Sequence, residues 1–336
     1  MTQATRATPL ILDVDTGVDD ALALLYAVAS PEVDLLAATC VMGNVGIDDV
    51  VRNTLAVLEL AGRGEVEVAR GASRPLVRDH APFPVVHGDR GLGRADPPAA
   101  ARTASDRDGR RVIVDTARAR PGEVLLVATG PLTNVAMALA EEPGLPTLLR
   151  GFAIMGGAFD HLGNTTPRAE ANIWVDPEAA SAVFRGFAGA PEDRLPVCAG
   201  LDVTERVRMT HADVASVTAP GPRTPVGRFL REAVPFYIEF YERWGDPGGA
   251  AMHDPLALAI ALDPGLATLV TTRVEVETDG TWTRGETVTD LRNLRGSPWP
   301  TGWEPEDNAR VALDVDEAAF LDRFFDRLRA LVEAQT

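Results

Sequence analysis

Residues 9–21 read PLILDVDTGVDDA and contain the change of pattern that decides the fold. Residues 9–14 are apolar at nearly every position, which predicts a strand buried on both faces, as in a parallel sheet. Residues 19–30 have the apolar spacing of a helix and end before Pro31. A buried strand that leads directly into a helix is the repeating unit of α/β proteins.

The same alternation continues along most of the chain. The predicted strands and helices imply a mostly parallel sheet with helices on both faces. We therefore predict one α/β domain over residues 1–336, with a Rossmann-like central sheet flanked by helices. Ligands of such sheets bind beyond the carboxyl ends of the strands. Further strands are predicted at residues 34–42, 123–128, 151–155, 195–203, 269–277 and 310–315, and further helices at residues 47–61, 132–141, 177–187 and 317–334.

Composition excludes several classes of function. The 336 residues include 49 acidic and 32 basic residues, for a net charge of −17. This charge argues against nucleic acid or an anionic membrane as a partner. All basic residues are arginine, so a Walker A lysine and Schiff-base chemistry are excluded. Two cysteines cannot supply a disulfide framework. Without a signal-peptide pattern or an apolar run of membrane-spanning length, we expect a cytoplasmic protein.

Four carboxylates follow the first predicted strand within eight residues. Asp13 and Asp15 are two residues apart on an extended segment, so their side chains should point to the same side. Asp19 and Asp20 fall in the first turn of the following helix. The helix dipole favours acids there by only about 0.3–1 kcal/mol each, less than the repulsion among four anions. Either some carboxyls are protonated or a hard cation such as Ca²⁺ or Mg²⁺ lies among them.

Other interpretations of this acidic segment are open. Helix capping and a solvated acidic turn are common, but the strand before these acids is too apolar for the surface. The Asp-x-Asp pattern also resembles that of magnesium-dependent, haloacid-dehalogenase-like phosphatases, which ordinarily need a downstream lysine that this chain lacks. A calcium-dependent ribose- or nucleoside-binding protein without turnover is a third possibility.

A resemblance to one family covers nearly the whole chain. Residues 13–21 (DVDTGVDDA) closely resemble the N-terminal signature of the nucleoside hydrolases, also called inosine–uridine-preferring nucleoside hydrolases. The other motifs follow in the family's order. They are Gly43-Asn44, residues 87–93 (HGDRGLG), residues 128–134 (ATGPLTN), residues 155–157 (MGG), Asn164, residues 169–180 (AEANIWVDPEAA), residues 252–257 (MHDPLA) and residues 284–290 (RGETVTD).

The resemblance implies a calcium-dependent enzyme that hydrolyses the N-glycosidic bond of ribonucleosides to ribose and free base. It implies a Ca²⁺ ion bound by Asp15, Asp20, Asp254 and the backbone carbonyl of Thr129. Asp15 would also be the general base that takes a proton from a water activated by the metal. Asp13 would support these ligands from behind. A homodimer or homotetramer is implied as well.

The ribose is expected to bind polar side chains at the strand exits. Glu170 and Asn172 lie two residues apart, so both can face one sugar. Loop capping is the better explanation of any single asparagine, but three of them together with Glu170 favour a polyol site. The predicted ribose-binding residues are Asp19, Asn44, Met155, Asn164, Glu170 and Asn172.

The departing base needs a proton or another form of charge stabilisation. The resemblance implies that His253 is the acid, and its presence favours the inosine–uridine or pyrimidine-preferring branch of the family. His87 would assist or contact the base, although a lone histidine is more often structural. Tyr237 and Tyr241 have the i, i+4 spacing of one helix face and would contact the base or belong to a lid.

Two segments, residues 80–109 and 224–250, are expected to flank the active site as loops or a lid. The sequence leaves the roles of residues 94–109 and 297–303 open, as well as the preferred nucleobase.

Overall fold

The structure, a computed structural model, describes residues 7–79, 82–294 and 306–336. The unassigned stretch at 297–303 lies outside these residues, as do positions 80 and 81 at the start of the expected 80–109 segment. The strands in the described residues are β1 (Thr8–Val14), β2 (Val33–Cys40), β3 (Glu67–Arg70), β4 (Leu125–Ala128), β5 (Gly151–Met155), β6 (Val197–Ala199), β7 (Arg208–Met209), β8 (Ala250–Ala251), β9 (Ala267–Thr272), β10 (Val274–Val276), β11 (Thr287–Thr289) and β12 (Ala309–Val315).

Helices follow most of these strands. The α-helices of the described residues are α1 (Val18–Ala29), α2 (Ile47–Leu60), α3 (Pro84–His87), α4 (Gly109–Ala119), α5 (Thr133–Glu141), α6 (Leu145–Leu148), α7 (Ala171–Val175), α8 (Pro177–Gly186), α9 (Leu201–Thr204), α10 (His211–Thr218), α11 (Pro225–Arg243), α12 (His253–Leu262) and α13 (Glu317–Glu333).

The central sheet has the strand order β3-β2-β1-β4-β5-β6-β12-β9 in the described residues. All neighbouring pairs are parallel except β12 and β9. The chain passes from β1 to β2 on one side and later places β4 on the other side of β1, so the direction of winding reverses there. A crevice forms beyond the carboxyl ends of strands at such a reversal. The fold predicted from the sequence is confirmed, and the acidic segment follows β1 at this crevice.

Alternate side chains of β1 point to opposite faces of the sheet, so the core has two layers. Leu10, Leu12 and Val14 pack into a cluster with α1, α2, α11, α12 and α13, whereas Ile11 packs on the opposite face with α4, α5 and α8. Because both faces are covered, the strand contains almost no solvent-exposed position, as its continuous apolar run predicts.

Two predicted strands are shorter than expected. Residues 195–203 contain β6 and then turn at Gly200 into α9, because a short apolar run does not distinguish a strand from a helical turn. Residues 269–277 break at Arg273 into β9, which joins the central sheet, and β10, which pairs with β11.

The segments expected as loops or a lid contain helices. Most of 224–250 is α11, and only the turn at 244–249 before β8 is irregular. The 80–109 segment includes α3 and then crosses the surface without a regular element before α4. No helix in the described part of the chain is both long and apolar enough to cross a membrane.

Candidate active site

The acidic segment is buried where β1 ends and α1 begins. Asp13, Asp15, Asp19 and Asp20 are each at most 6% exposed. Asp20 accepts hydrogen bonds from the backbone N–H groups of Asp15 at 3.2 Å and Gly17 at 2.9 Å, so it also caps α1. Capping accounts for Asp20 but leaves the other buried carboxylates without an explanation.

Three carboxylates converge from two helices. Asp19 and Asp20 on α1 meet Asp254 on α12, with one oxygen from each lying within 4.8 Å of the others. Asp15 lies outside this closest group, although its charge raises the pKa of Asp254. The predicted ligands Asp20 and Asp254 are therefore together, with Asp19 rather than Asp15 as the third member of the closest set.

Burial and mutual repulsion raise the pKa values of these groups. Burial is the main cause for all of them, and neighbouring carboxylates add to it for Asp15, Asp20 and Asp254. The pKa values of Asp15 and Asp254 lie well above the ordinary range, and those of Asp19 and Asp20 rise to about 6. A cation among the carboxylates would stabilise their charged forms and lower these pKa values again.

The donor atoms fit a hard divalent cation. Among the described residues, Asp15 Oδ1 and Asp19 Oδ1 are buried and have no hydrogen-bond partner. An unpaired buried carboxylate oxygen is costly, and a metal ion satisfies it directly. Carboxylate oxygens are the ligands that Ca²⁺ and Mg²⁺ prefer.

Asp13 lies behind this group. Its Oδ1 accepts a hydrogen bond from Asn134 Nδ2 at 2.7 Å and another from the hydroxyl of Thr39. Its backbone carbonyl accepts the N–H of Thr129 at 2.8 Å, which connects β1 to the end of β4. Burial raises the pKa of Asp13 to about 7 despite these two donors. Asp13 thus connects the ends of β1, β2 and β4.

Thr129 contacts the group through its hydroxyl. Its hydroxyl donates to Asp20 Oδ1 at 2.8 Å, a contact that the sequence did not predict. Its carbonyl oxygen, the predicted metal ligand, accepts the Asn172 amide at 2.7 Å. A carbonyl has two lone pairs, so this bond leaves one for a cation.

The predicted ribose-binding residues surround the end of β5 and the start of α7. Asn172 Nδ2 is 3.1 Å from the carbonyl oxygen of Met155, so its amide nitrogen is engaged and its Oδ1 is the atom available to a ligand. Glu170 accepts backbone N–H groups of Asn172, Ile173 and Gly157, and burial raises its pKa to about 7. Asn164 is exposed and accepts the N–H of Ala171, so it lies at the edge of this group.

Asn44 lies across the crevice, after β2. Its backbone N–H donates to Asp15 Oδ2 at 2.7 Å, and its Nδ2 is 3.3 Å from Asp20 Oδ2. The chain approaches very closely here, because a Cβ at Gly43 would be 2.0 Å from Asp15 Oδ2. Gly17 lies in an equally close contact, because a Cβ there would be 2.8 Å from both Asn44 Nδ2 and His87 Nδ1.

The two candidate histidines have different surroundings. His87 accepts the backbone N–H of Val18 on its Nδ1 at 3.2 Å, and burial lowers its pKa to about 4. His253 lies between the hydroxyls of Tyr241, 2.9 Å from Nε2, and Thr204, 2.7 Å from Nδ1. Burial, with Arg208 and His87 nearby, lowers the pKa of His253 to about 3. Both rings are therefore neutral at neutral pH.

The aromatic residues of α11 reach the carboxylates. The Tyr237 hydroxyl donates to Asp19 Oδ2 at 3.3 Å and is 3.3 Å from the Tyr241 hydroxyl. The Tyr237 ring also packs 5.1 Å from that of His87. The structure therefore brings both predicted tyrosines to the site.

Comparison with known proteins identifies the family. A sequence profile described as inosine-uridine preferring nucleoside hydrolase matches residues 10–322. This chain belongs to that family. The pyrimidine-specific ribonucleoside hydrolase RihA of Citrobacter koseri is 40% identical over 324 residues, which cover 96% of this chain and 98% of that enzyme.

Solved structures agree with this assignment. A purine-preferring ribonucleoside hydrolase from Gardnerella vaginalis superposes with a TM-score of 0.88 at 37% identity, covering 97% of this chain and 99% of that one. A plant nucleoside hydrolase, PpNRh1, gives a TM-score of 0.89 at 33% identity, covering 96% and 99%. The chain is therefore a nucleoside hydrolase, a hydrolase of N-glycosyl bonds, and its buried acidic group suits a metal-dependent family. The phosphatase interpretation has no support among these relatives.

Sequence reasoning missed two residues of this nucleoside hydrolase site. Thr204 reaches His253 from α9, and nothing in the local sequence marks it out. Asn53 on α2 donates to the carbonyls of Thr16 at 3.2 Å and Arg90 at 2.7 Å, which joins the acidic segment to the loop after α3. A polar residue on the mostly apolar buried face of α2 was the available signal for Asn53.

Proposed function

We propose that this nucleoside hydrolase binds Ca²⁺ through Asp15, Asp20, Asp254 and the carbonyl oxygen of Thr129, and hydrolyses ribonucleosides to ribose and free base. The buried convergence of carboxylates at the reversal point of the sheet carries the proposal. Asp19, Asp20 and Asp254 offer oxygens within 4.8 Å of one another, and the adjacent Asp15 Oδ1 has no hydrogen-bond partner among the described residues.

Calcium suits this donor set. It takes about 6–8 oxygen ligands in flexible geometry, so four protein groups leave room for water and ribose hydroxyls. The imidazoles of His87 and His253 are engaged by other partners, which leaves an oxygen-only site. A bound ion would supply Lewis acidity to a water molecule and fix the orientation of the ribose diol.

Asp15 is the proposed general base. Asn44 donates to its Oδ2, so the lone pairs of Oδ1 are free both for the ion and for a proton from the attacking water. As the water oxygen bonds to C1′, its proton passes to Asp15 and the C1′–N bond breaks. The electron pair of that bond leaves with the nucleobase, which then requires a proton or a hydrogen bond.

The ribose is held by side chains whose orientations are already fixed. Asn172 can present Oδ1 because its Nδ2 binds the carbonyls of Thr129 and Met155. Glu170 is fixed by three backbone N–H groups at the start of α7, with Asn164 at the edge of this group and Asn44 across the crevice. Buried negative charge around the sugar stabilises the cationic character that C1′ develops as the bond breaks.

The departing base is assisted by the pair formed by His253 and Tyr241. A resting histidinium is not available, because burial lowers the pKa of His253 to about 3. The neutral ring or the tyrosine hydroxyl 2.9 Å away can instead donate a hydrogen bond to the negative charge that develops on the base. His87 is proposed to orient α1 and pack beside the base rather than to act as an acid.

Turnover with defined substrates tests the proposal. Purified protein is incubated with inosine, adenosine, uridine, cytidine and p-nitrophenyl phosphate, and released ribose and nitrophenol are measured. We expect ribose from at least one nucleoside, loss of activity with a chelator and recovery with Ca²⁺. Because the relatives include a pyrimidine-specific and a purine-preferring enzyme, the substrate panel also measures base preference.

A matched pair of variants tests whether activity depends on a proposed metal ligand or only on the overall negative charge of the protein. Asp20→Asn should remove activity and calcium dependence, whereas Asp322→Asn, at an exposed position on α13, should change neither. Activity that survives both chelation and Asp20→Asn contradicts the metal proposal. Nucleoside binding without ribose release supports a non-catalytic binding protein instead.

A further inference from the structure

Five side chains form one hydrogen-bonded chain beside the carboxylates, which we call the proton chain. It begins at Asp19 Oδ2 and continues to the hydroxyls of Tyr237 and Tyr241, each step measuring 3.3 Å. It then reaches His253 Nε2 at 2.9 Å and ends at Thr204 Oγ1, 2.7 Å from His253 Nδ1. Four separate helices, α1, α9, α11 and α12, contribute these residues.

The direction of each hydrogen bond follows from the one before it. Tyr237 gives its single hydroxyl proton to Asp19, so the proton between the two tyrosines must come from Tyr241. Tyr241 then has no proton left for His253, and Nε2 of the ring must donate to it. A neutral imidazole has one N–H group, so Nδ1 is an acceptor.

Thr204 is the donor that this arrangement requires. The residue is fully buried, so water cannot replace it. Two buried threonines in the middle or last turn of longer helices donate within their own helix, Thr54 to the Val50 carbonyl at 2.8 Å and Thr218 to the Val214 carbonyl at 2.7 Å. The Thr204 hydroxyl instead faces the histidine on α12.

We propose that Thr204 is a positioning residue that donates to Nδ1 of His253, holds the ring as the Nε2–H tautomer and thereby sets the direction of the proton chain. This inference rests on the proposed function, because it assigns to the Nε2–H group of His253 a hydrogen bond to the departing base in place of the bond to Tyr241. The side chain acts through His253 and does not itself contact the substrate.

Removal of the hydroxyl should impair leaving-group assistance selectively. Thr204→Val preserves the shape of the side chain but leaves Nδ1 without a donor. We expect kcat for the best natural nucleoside to fall about tenfold to a hundredfold, with KM changed less than about twofold. p-Nitrophenyl riboside needs no proton on its leaving group, so its kcat should fall less than about threefold.

Two matched variants accompany this measurement. Thr204→Ser restores a hydroxyl and should recover most of the lost kcat. Thr218→Val removes a buried hydroxyl that serves only its own helical turn and a 3.4 Å contact with Arg231, and should leave both substrates unaffected. Equal losses on both substrates in Thr204→Val, or no recovery in Thr204→Ser, overturn the proposal.

Nitrogen-15 NMR of the histidine rings tests the tautomer without any turnover. The chain has five histidines, and the His253 signals are identified by their loss in His253→Gln. With Ca²⁺ present, wild-type His253 should carry its proton on Nε2, and Thr204→Val should shift both ring nitrogens. A wild-type ring protonated on Nδ1, or on both nitrogens, overturns the inference. An inactive protein with the expected tautomer would instead contradict only the proposed function.

Discussion

The backbone N–H of Asn44 donates to Oδ2 of Asp15 at 2.7 Å, while Oδ1 of the same carboxylate is buried without a hydrogen-bond partner in the described residues. The end of β2 therefore holds one oxygen of Asp15 and leaves the other for a ligand or a proton. This asymmetry depends on close approach of the backbone, because Gly43 provides the space that the carboxylate occupies.

Gly43→Ala should inactivate the enzyme. The new Cβ would lie 2.0 Å from Asp15 Oδ2 and 2.9 Å from Pro131, so the carboxylate must move. We expect kcat/KM to fall at least about a hundredfold, since small displacements of catalytic groups have effects of this size. Gly64→Ala is the control, because a Cβ there meets nothing within 4 Å. Wild-type activity in Gly43→Ala would contradict the placement of Asp15.

The two histidines should respond differently to alanine substitution. His253→Ala should reduce kcat for natural nucleosides about a hundredfold or more and affect p-nitrophenyl riboside far less, because only natural bases need assistance in leaving. His87→Ala should affect both substrates alike, since its Nδ1 accepts the Val18 N–H and orients α1. Steady-state kinetics on both substrates distinguishes the roles, and identical patterns for the two variants would refute the assignment.

Stability of the metal-free protein should fall as pH rises. The folded-state pKa values of Asp19 and Asp20 are raised to about 6 from an ordinary value of 3.8. Between these values the unfolded chain loses protons that the folded protein keeps, so the free energy of unfolding decreases from about pH 4 to pH 7. Scanning calorimetry with a chelator should show this decline, and added Ca²⁺ should raise the melting temperature more at pH 8 than at pH 5. A calcium effect independent of pH would contradict the account.

Asn53→Asp should weaken substrate binding, although Asn53 is not one of the proposed metal or ribose ligands. The substitution replaces a donor to the carbonyls of Thr16 and Arg90 with an acceptor, so the two active-site loops lose their connection. We expect a loss of about 2–4 kcal/mol in stability together with a higher KM. Asn308→Asp is the control, since its amide pairs with the Val274 backbone and its loss should lower stability alone. The same KM in both variants would count against a positioning role for Asn53.

The elements near the site could be predicted because their sequence patterns are local. β1 and α1 follow from an uninterrupted apolar run and helical spacing within about 20 residues of chain. The strand predicted at 195–203 was too long because Gly200 begins a short helix whose apolar residues continue the strand pattern. The predicted strand at 269–277 breaks at Arg273, where pairing changes from the central sheet to a separate hairpin. The first error comes from a local pattern that fits a strand and a helical turn equally well, and the second from tertiary pairing, which a single sequence does not encode locally.

The site was predictable only in part for a related reason. Asp15, Asp19 and Asp20 are neighbours in sequence, whereas Asp254 was predicted through a family resemblance and not from spacing. Thr204 was missed because its function depends on a contact between α9 and α12, in which Thr204 and His253 are 49 residues apart. The oligomeric state expected from the family stays a prediction.

Calcium located directly in a crystal tests the central claim. Crystals grown with Ca²⁺ are measured at a wavelength where calcium scatters anomalously. We predict one strong anomalous peak coordinated by Asp15, Asp20, Asp254 and the Thr129 carbonyl. A well-ordered site with no peak among these oxygens, at a calcium concentration that supports turnover, would contradict the account.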